Sequence, residues 1–178
     1  MQDNAPTRYD STTIALHWAT AISVIALWGS GQTANMFPRE VANGIVWPVH
    51  VAWGFVVVVL IAWRVVWRYT AGVGLPAADS GLLHVVAKAT HYLLYLLLGL
   101  VLLLGVANAF VRGYDLFGLF SLPQIGDKGW RRPITHWHEL AANTLLIFAL
   151  LHAAAALGHH YLLKDGVLRR MLPAPEQT

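Results

Sequence analysis

The chain has 178 residues, of which 57% are hydrophobic and only 12% are charged, and it contains no cysteine. Soluble domains usually carry about 25% charged residues, so this composition is typical of a single membrane domain. The lack of cysteine excludes disulfides, thiolate metal sites, iron–sulfur clusters and thiol catalysis. The formal net charge of +3 is small and its basic residues form no continuous stripe, which argues against nucleic acid as a partner.

Four long apolar segments follow one another along the chain, at residues 14–33, 48–67, 82–110 and 137–163. Each has about the 20 residues that an α-helix needs to cross the hydrocarbon of a bilayer. Connections rich in Gly, Pro and Asn separate them and are predicted to be loops. The sequence therefore predicts an all-α fold, in which residues 1–178 form one domain, a four-helix transmembrane bundle surrounded by membrane lipid.

The distribution of Lys and Arg predicts how the bundle is oriented. If the first helix starts on the cytoplasmic side, that side carries seven basic residues and the opposite side carries five. The seven are Arg8, Arg64, Arg68, Lys88, Lys164, Arg169 and Arg170, and the five are Arg39, Arg112, Lys128, Arg131 and Arg132. Basic residues are enriched on the cytoplasmic side of membrane proteins. We therefore expect both termini in the cytoplasm, with the first apolar segment retained as a membrane helix.

Histidines occur in the apolar segments at matching depths. His138 and His152 are fourteen residues apart on the fourth segment, so they lie on one helix face and about 21 Å apart along the axis. His50 is near the outer start of the second segment, at the level of His138. His17 is near the cytoplasmic start of the first, toward the level of His152. The spacing predicts two histidine pairs at two depths.

Paired imidazoles on facing helices predict haem. Imidazole is a good ligand for iron, and two such ligands can fill both axial positions of one haem b between the helices of a bundle. Two pairs therefore predict two haems b, stacked across the bilayer. A single membrane histidine can instead make a polar contact with a neighbouring helix. Zinc is less well matched, because it needs three or four ligands at one depth.

Glycines within the predicted helices allow close approach of another helix or of a flat cofactor. They are Gly29, Gly31, Gly54, Gly99 and Gly105. Gly54 lies one helical turn from His50, where a porphyrin would need room. Ordinary helix packing explains the same glycines equally well.

The segments "IALHW", "PVHVAWG", "ATHYLLYLLLG", "WHELAAN" and "LHAAAALGHHY…KD…LRRM" resemble the bacterial cytochrome b561 family over nearly the whole chain. The resemblance implies a di-haem b protein of the bacterial inner membrane, with multiple spans. It implies haem iron ligands from the first, second and fourth helices, which match His17, His50, His138 and His152. Members that this chain resembles oxidise superoxide at the outer face and reduce ubiquinone in the membrane, which makes them superoxide:ubiquinone oxidoreductases.

The resemblance also supports a quinone site formed by His91 and His159 near the inner haem. Both histidines are expected toward the cytoplasmic side, where they could meet a quinone carbonyl and supply protons. Alternatively, His91 is a spare ligand or a helix–helix hydrogen bond, and His159 is an interfacial residue. Tyr92 and Arg64 are weaker candidates for the quinone site. The usual role of an arginine at the depth of Arg64 is to extend toward the lipid head groups.

Three basic residues, Lys128, Arg131 and Arg132, gather shortly before His138. A positive patch beside the outer haem would raise the local concentration of an anion such as superoxide and its encounter rate. The same residues could form a solvated loop, bind an acidic partner or contact phospholipid. The sequence therefore predicts a superoxide-attracting patch here, with these alternatives open.

Two other functions compete with a superoxide oxidase. The chain could be a non-catalytic cytochrome b electron-transfer subunit serving a periplasmic dehydrogenase or cytochrome partner, and the protein partner is left open. A histidine-based metal or proton transporter would need intramembrane carboxylates along a path. The predicted helices contain essentially none except Glu139 at one end.

Overall fold

Four long helices dominate the computed structural model, which describes residues 7–78 and 80–173. They are α1 (Ser11–Thr33), α2 (Trp47–Thr70), α3 (Gly81–Arg112) and α4 (Arg131–Gly158). With their adjoining helical turns, all four are long and apolar enough to cross a membrane. In this part of the chain, the prediction of a mostly helical protein with four spanning segments is confirmed.

The fourth helix begins earlier than predicted. Residues 131–136, which the sequence assigned to a loop, form the first turns of α4, and a 3-10 turn at Lys128–Trp130 precedes them. Pro133 is accommodated because the amides of a helix's first turn have no intrahelical acceptor to lose. At its other end, α4 runs into a π-helical turn at His159–Leu163. The predicted start at residue 137 was wrong by six residues, since Pro133 does not stop a helix that has just begun.

The two connections α1–α2 and α3–α4 lie together at one end of the bundle, which we call the loop end. The first contains short helical turns at Ala34–Met36, Arg39–Val41 and Ala42–Val46. The second contains two-residue antiparallel strands, β1 (Asp115–Leu116) and β2 (Phe120–Ser121). The opposite end, which we call the terminal end, carries both ends of the described chain and the α2–α3 connection.

The helices pack mainly as α3 against α4 and α1 against α2, with further contacts between α2 and α3 and between α1 and α4. Few large side chains are buried, among them Leu16, Leu98 and Leu145, and Val57 is almost completely enclosed. Most other large apolar residues are exposed, as expected where lipid rather than water surrounds the protein.

The segment after α4 folds back across the terminal end. It contains a 3-10 helix, Leu168–Met171, in which the Arg170 carbonyl oxygen accepts a hydrogen bond from the Tyr9 amide at 3.1 Å. The Trp18 indole donates to the Met171 carbonyl oxygen at 2.8 Å, and the Arg170 guanidinium donates to the Pro76 carbonyl oxygen at 2.7 Å. This segment therefore joins the start of α1 to the α2–α3 connection.

Asp10 is the hub of the terminal end. Its carboxylate caps α1 by accepting from the Thr13 amide at 2.8 Å, and it also accepts from the Trp67 indole at 3.0 Å and the Val73 amide at 3.1 Å. Partial burial raises the pKa of Asp10, but hydrogen bonds from these three residues outweigh burial and hold the pKa well below its usual range. One carboxylate thus connects α1, α2 and the following loop.

We expect Asp10→Ala to destabilise the protein by about 1–2 kcal/mol, the usual cost of losing an N-cap. Because the pKa of Asp10 is lowered by folding, its stabilisation is present at neutral pH and is lost as the pH falls below about 4. Thermal unfolding in detergent should show a lower midpoint for the variant at pH 7, with the two proteins converging in acid. Ser11→Ala, at an exposed neighbour, is the control, and equal midpoints for all three proteins at pH 7 would contradict the assignment.

Candidate functional site

All four helices carry a pair of functional or small residues fourteen positions apart. The pairs are His17 and Gly31 on α1, His50 and Arg64 on α2, His91 and Gly105 on α3, and His138 and His152 on α4. Fourteen residues are close to four helical turns, so each pair lies on one face and spans about 21 Å. Because neighbouring helices run in opposite directions, the pairs form two levels across the bundle.

The loop level, nearer the loop end, contains His50 and His138 with two glycines beside them. The ring centroids of His50 and His138 are 6.2 Å apart. A Cβ added to Gly31 would lie 3.8 Å from Cε1 of His50, and one added to Gly105 would lie only 3.0 Å from Cε1 of His138. Gly105 therefore gives the His138 ring the space it occupies.

Hydrogen bonds determine which nitrogen of each loop-level histidine is free. Ser30 donates its hydroxyl to the Leu27 carbonyl oxygen at 2.8 Å, so its oxygen accepts from Nδ1 of His50, also at 2.8 Å. Nδ1 of His138 donates to the Val101 carbonyl oxygen at 3.0 Å. In both rings Nδ1 carries the proton, which leaves the Nε2 lone pair available to a metal.

The terminal level, nearer the terminal end, contains His17, Arg64, His91 and His152. The centroids of His17 and His152 are 6.4 Å apart, and those of His91 and His152 are 5.3 Å apart. Nη2 of Arg64 lies 3.2 Å from Nδ1 of His17, and the guanidinium also lies over the Tyr95 ring, 5.5 Å from its centroid. The Arg64 guanidinium thus lies beside a histidine Nδ1 at the terminal level, whereas Nδ1 of each loop-level histidine faces a neutral acceptor.

The spacing of the two cross-bundle pairs fits axial ligation of haem iron. An ion between two imidazoles needs two bonds of about 2 Å, and each ring adds roughly 1 Å to its centre, so the centroids should be about 6 Å apart. The His50–His138 and His17–His152 separations meet this requirement, whereas His91–His152 is too close. Among residues 7–78 and 80–173, no cluster of three or more His, Asp or Glu is arranged to hold a metal ion. The donors therefore fit two bis-histidine haems better than a tetrahedral ion.

The other predicted glycines differ from Gly31 and Gly105. A Cβ added at Gly29, Gly54 or Gly99 would meet nothing within 4 Å. None of these three is needed for contact with a neighbouring helix. Gly54, one turn from His50, leaves room beside the loop-level pair, as a flat cofactor requires.

The two predicted quinone residues have different surroundings. His91 is exposed and contacts His152 at the terminal level. His159 lies seven residues beyond His152, about 10 Å nearer the terminal end. Its Nδ1 is 2.6 Å from Oδ2 of Asp165, whose other oxygen accepts from the Val167 amide at 3.0 Å. The hydrogen bond from His159, followed by that from Val167, holds the pKa of Asp165 below its usual range.

The three predicted patch residues do not act alike. Lys128 and Arg132 are exposed at the start of α4. Arg131 instead binds the end of α3: its Nε donates to the Val111 carbonyl oxygen at 3.4 Å and its Nη2 to the Arg112 carbonyl oxygen at 3.3 Å. A guanidinium on the last carbonyls of a helix is a capping interaction. Arg131 therefore joins α4 to α3 as well as adding positive charge.

Sequence reasoning missed a polar network between the loop-end portions of α3 and α4. Arg112 donates to Asn108 Oδ1 at 3.0 Å and to Thr135 Oγ1 at 2.9 Å. Beside it, a cleft of about 320 Å³ is lined by Asn43, Arg112, Gly113, Tyr114, Asp115 and Arg131. The usable signal was the four-residue spacing of Asn108 from Arg112 and of Arg131 from Thr135, which puts polar side chains on the facing sides of two apolar helices.

Gly105→Ala should lower the amount of haem bound at the loop level, because the new methyl group would push the His138 ring away from His50. The measurement is haem content and visible absorption per purified chain. Gly99→Ala on the same helix is the matched control, since its methyl group meets open space. Equal haem content and equal spectra for the two variants would contradict this role of Gly105.

Comparison with known proteins gives a consistent assignment. Residues 8–174 match the family described as prokaryotic cytochrome b561. The chain is 31% identical to the probable superoxide oxidase CybB of Yersinia pestis over 172 residues, covering 93% of this chain and 96% of the relative. It is 33% identical to cytochrome b562 of Cereibacter sphaeroides over 169 residues, covering 92% and 94%. It is 28% identical to cytochrome b561 homolog 2 of Escherichia coli (strain K12) over 179 residues, covering 95% and 93%.

This family consists of membrane electron-transfer proteins and implies haem b binding, in keeping with the four apolar helices and the paired imidazoles between them. The relatives and this chain align over nearly their full lengths. The chain belongs to the prokaryotic cytochrome b561 family.

Proposed function

We propose that this protein is a superoxide:ubiquinone oxidoreductase that holds two haems b. The observation that carries the proposal is the pair of bis-histidine arrangements, with centroids 6.2 and 6.4 Å apart, on two levels of one bundle. Haem bound at each level would supply one-electron chemistry. Two levels about 21 Å apart would connect one face of a bilayer with the other.

The reaction balances with two superoxide anions for each quinone. Each superoxide gives up one electron and leaves as dioxygen, and the quinone takes two electrons and two protons to become quinol. The loop end would receive superoxide, since Lys128, Arg131 and Arg132 bring positive charge to the start of α4, and Arg112 lies beside Arg131. Positive charge at an approach site raises the encounter rate of an anion. The similarity to a probable superoxide oxidase supports this donor.

The terminal end would bind ubiquinone and provide its protons. His159 is hydrogen-bonded through Nδ1 to Asp165, which holds the ring in place so that its Nε2 could pass a proton to a quinone oxygen. His91, exposed beside His152, would contact the quinone from α3. The Lys and Arg count favours the cytoplasmic side of a bacterial inner membrane for this end, where the aqueous phase would supply the protons.

A second candidate function is an electron-transfer subunit that receives electrons from a periplasmic dehydrogenase or cytochrome. The similarity to cytochrome b562 of Cereibacter sphaeroides, at 33% identity, supports it, because that relative is named as a cytochrome. The exposed Lys128 and Arg132 would then dock an acidic protein surface. In that case the isolated chain would turn over no superoxide.

The purified, haem-loaded protein should be reduced by superoxide and reoxidised by ubiquinone, with two superoxide anions consumed for each quinol. Visible absorption and quinol formation measure the two halves. His138→Ala should abolish fast reduction by superoxide, because this histidine belongs to the loop-level pair. Added salt should slow the reaction of the unaltered protein, since it screens the loop-end charges. Reduction by a chemical donor but not by superoxide would instead support the electron-transfer subunit.

Asp165→Asn should slow reoxidation by ubiquinone about tenfold or more while reduction by superoxide is unchanged, because His159 loses the carboxylate that holds its ring in place. Stopped-flow absorption separates these two steps. Asp115→Asn, at an exposed loop-end aspartate, is the control. Unchanged reoxidation in Asp165→Asn would remove His159 and Asp165 from the quinone site.

A further inference from the structure

The two levels differ in what faces the Nδ1 atoms of their histidines. At the loop level both contacts are acceptors: the Ser30 hydroxyl oxygen for His50 and the Val101 carbonyl oxygen for His138. An acceptor at Nδ1 draws the ring proton toward itself and makes the ligating nitrogen more electron-rich. Electron-rich ligands stabilise the oxidised iron, which lowers the reduction potential of a haem.

The terminal level has a cation in the corresponding position. Arg64 lies 3.2 Å from Nδ1 of His17, and a guanidinium has no lone pair with which to accept a proton. Once iron takes Nε2 of His17, Nδ1 carries a proton and can no longer accept from Arg64, so the two donors move apart and Arg64 contributes only its charge. Arg64 is half-buried and lies over Tyr95, so it is held at this level rather than extended toward the head groups.

A fixed positive charge favours the less positive, reduced form of nearby iron and so raises its reduction potential. Charge effects of this kind are much stronger in a low-dielectric interior than in water. None of the four helix positions that define the loop level is an arginine or lysine. Gly31 and Gly105 occupy the places that correspond to His17 and His91 at the terminal level. Among the eight positions of the fourteen-residue pattern, Arg64 is the one arginine or lysine. The loop-end Arg112 lies about two turns beyond Gly105 on α3 and is engaged with Asn108 and Thr135.

We propose that Arg64 raises the potential of the terminal-level haem above that of the loop-level haem, whose ligands donate to Ser30 and Val101. An electron delivered at the loop end then moves energetically downhill to the terminal end. Each transfer oxidises one loop-level iron and reduces one terminal-level iron, and two such transfers supply the two electrons that a quinone needs. Arg64 would act through its charge on the reduction potential of the terminal-level haem. This inference rests on the proposed function only in requiring haem at both levels.

Redox titration of the purified, haem-loaded protein tests the inference without superoxide or quinone. The unaltered protein should give two midpoints, and His138→Ala, which keeps the terminal-level pair, should retain the higher one. Arg64→Gln should lower that midpoint by about 59 mV, a tenfold change in the equilibrium constant for moving one electron inward. Arg64→Lys keeps the charge and should preserve most of the difference.

Arg68→Gln is the matched control, since Arg68 lies one turn beyond Arg64 on α2 and contacts Tyr9 rather than a paired histidine. Ser30→Ala tests the other level independently and should raise only the lower midpoint, because His50 loses its acceptor. If Arg64→Gln binds less haem, Ser30→Ala and Arg64→Lys still decide the outcome. Two haems with an unchanged or raised upper midpoint in Arg64→Gln, or His138→Ala retaining the lower midpoint, would overturn the inference. A preparation lacking haem at one level would overturn the proposed function instead.

Discussion

The structure depends on providing bonding partners for the imidazole nitrogens of the histidines within the helices. A histidine inside a bilayer is costly unless its nitrogens are bonded. At the loop level, Ser30 and the Val101 carbonyl take one nitrogen of each ring and leave the other nitrogen free, with the two ring centroids 6.2 Å apart. Haem iron between the two rings would take the remaining lone pairs. Hydrogen bonds within the protein thus satisfy one nitrogen of each ring, and ligation of haem iron would satisfy the other.

The fourteen-residue spacing repeats this solution across the membrane, but with different residues. Gly105 on α3 gives the His138 ring its space, because a Cβ there would lie 3.0 Å from the ring, whereas a Cβ at Gly31 on α1 would make ordinary contact with His50. At the terminal level the corresponding places hold His17 and His91, and Arg64 is added from α2. The loop level thus has small, neutral residues directly beside its two histidines, while the terminal level has a cation within 3.2 Å of His17.

Positive charge at the loop end is divided between structure and surface. Arg112 and Arg131 are engaged with Asn108, Thr135 and the last carbonyls of α3, and these bonds join α3 to α4. Lys128 and Arg132 remain at the surface. A guanidinium can satisfy helix ends and still contribute to the local field, because hydrogen bonding does not remove its charge. The same residues therefore hold two helices together and contribute positive charge at the loop end.

Much of this protein was determined by the sequence alone. The apolar lengths predicted four helices because a bilayer permits few other spanning structures, and the fourteen-residue spacing of His138 and His152 predicted one face and two depths because helical geometry is regular. Only the tertiary structure decided that Asp10 ties the terminal end together, that Gly105 rather than Gly99 makes room for a histidine, and that Arg64 lies against His17. Helical periodicity specifies depth and direction along one helix, whereas the contacts between helices depend on their rotation, crossing and side-chain conformations, which no single segment encodes.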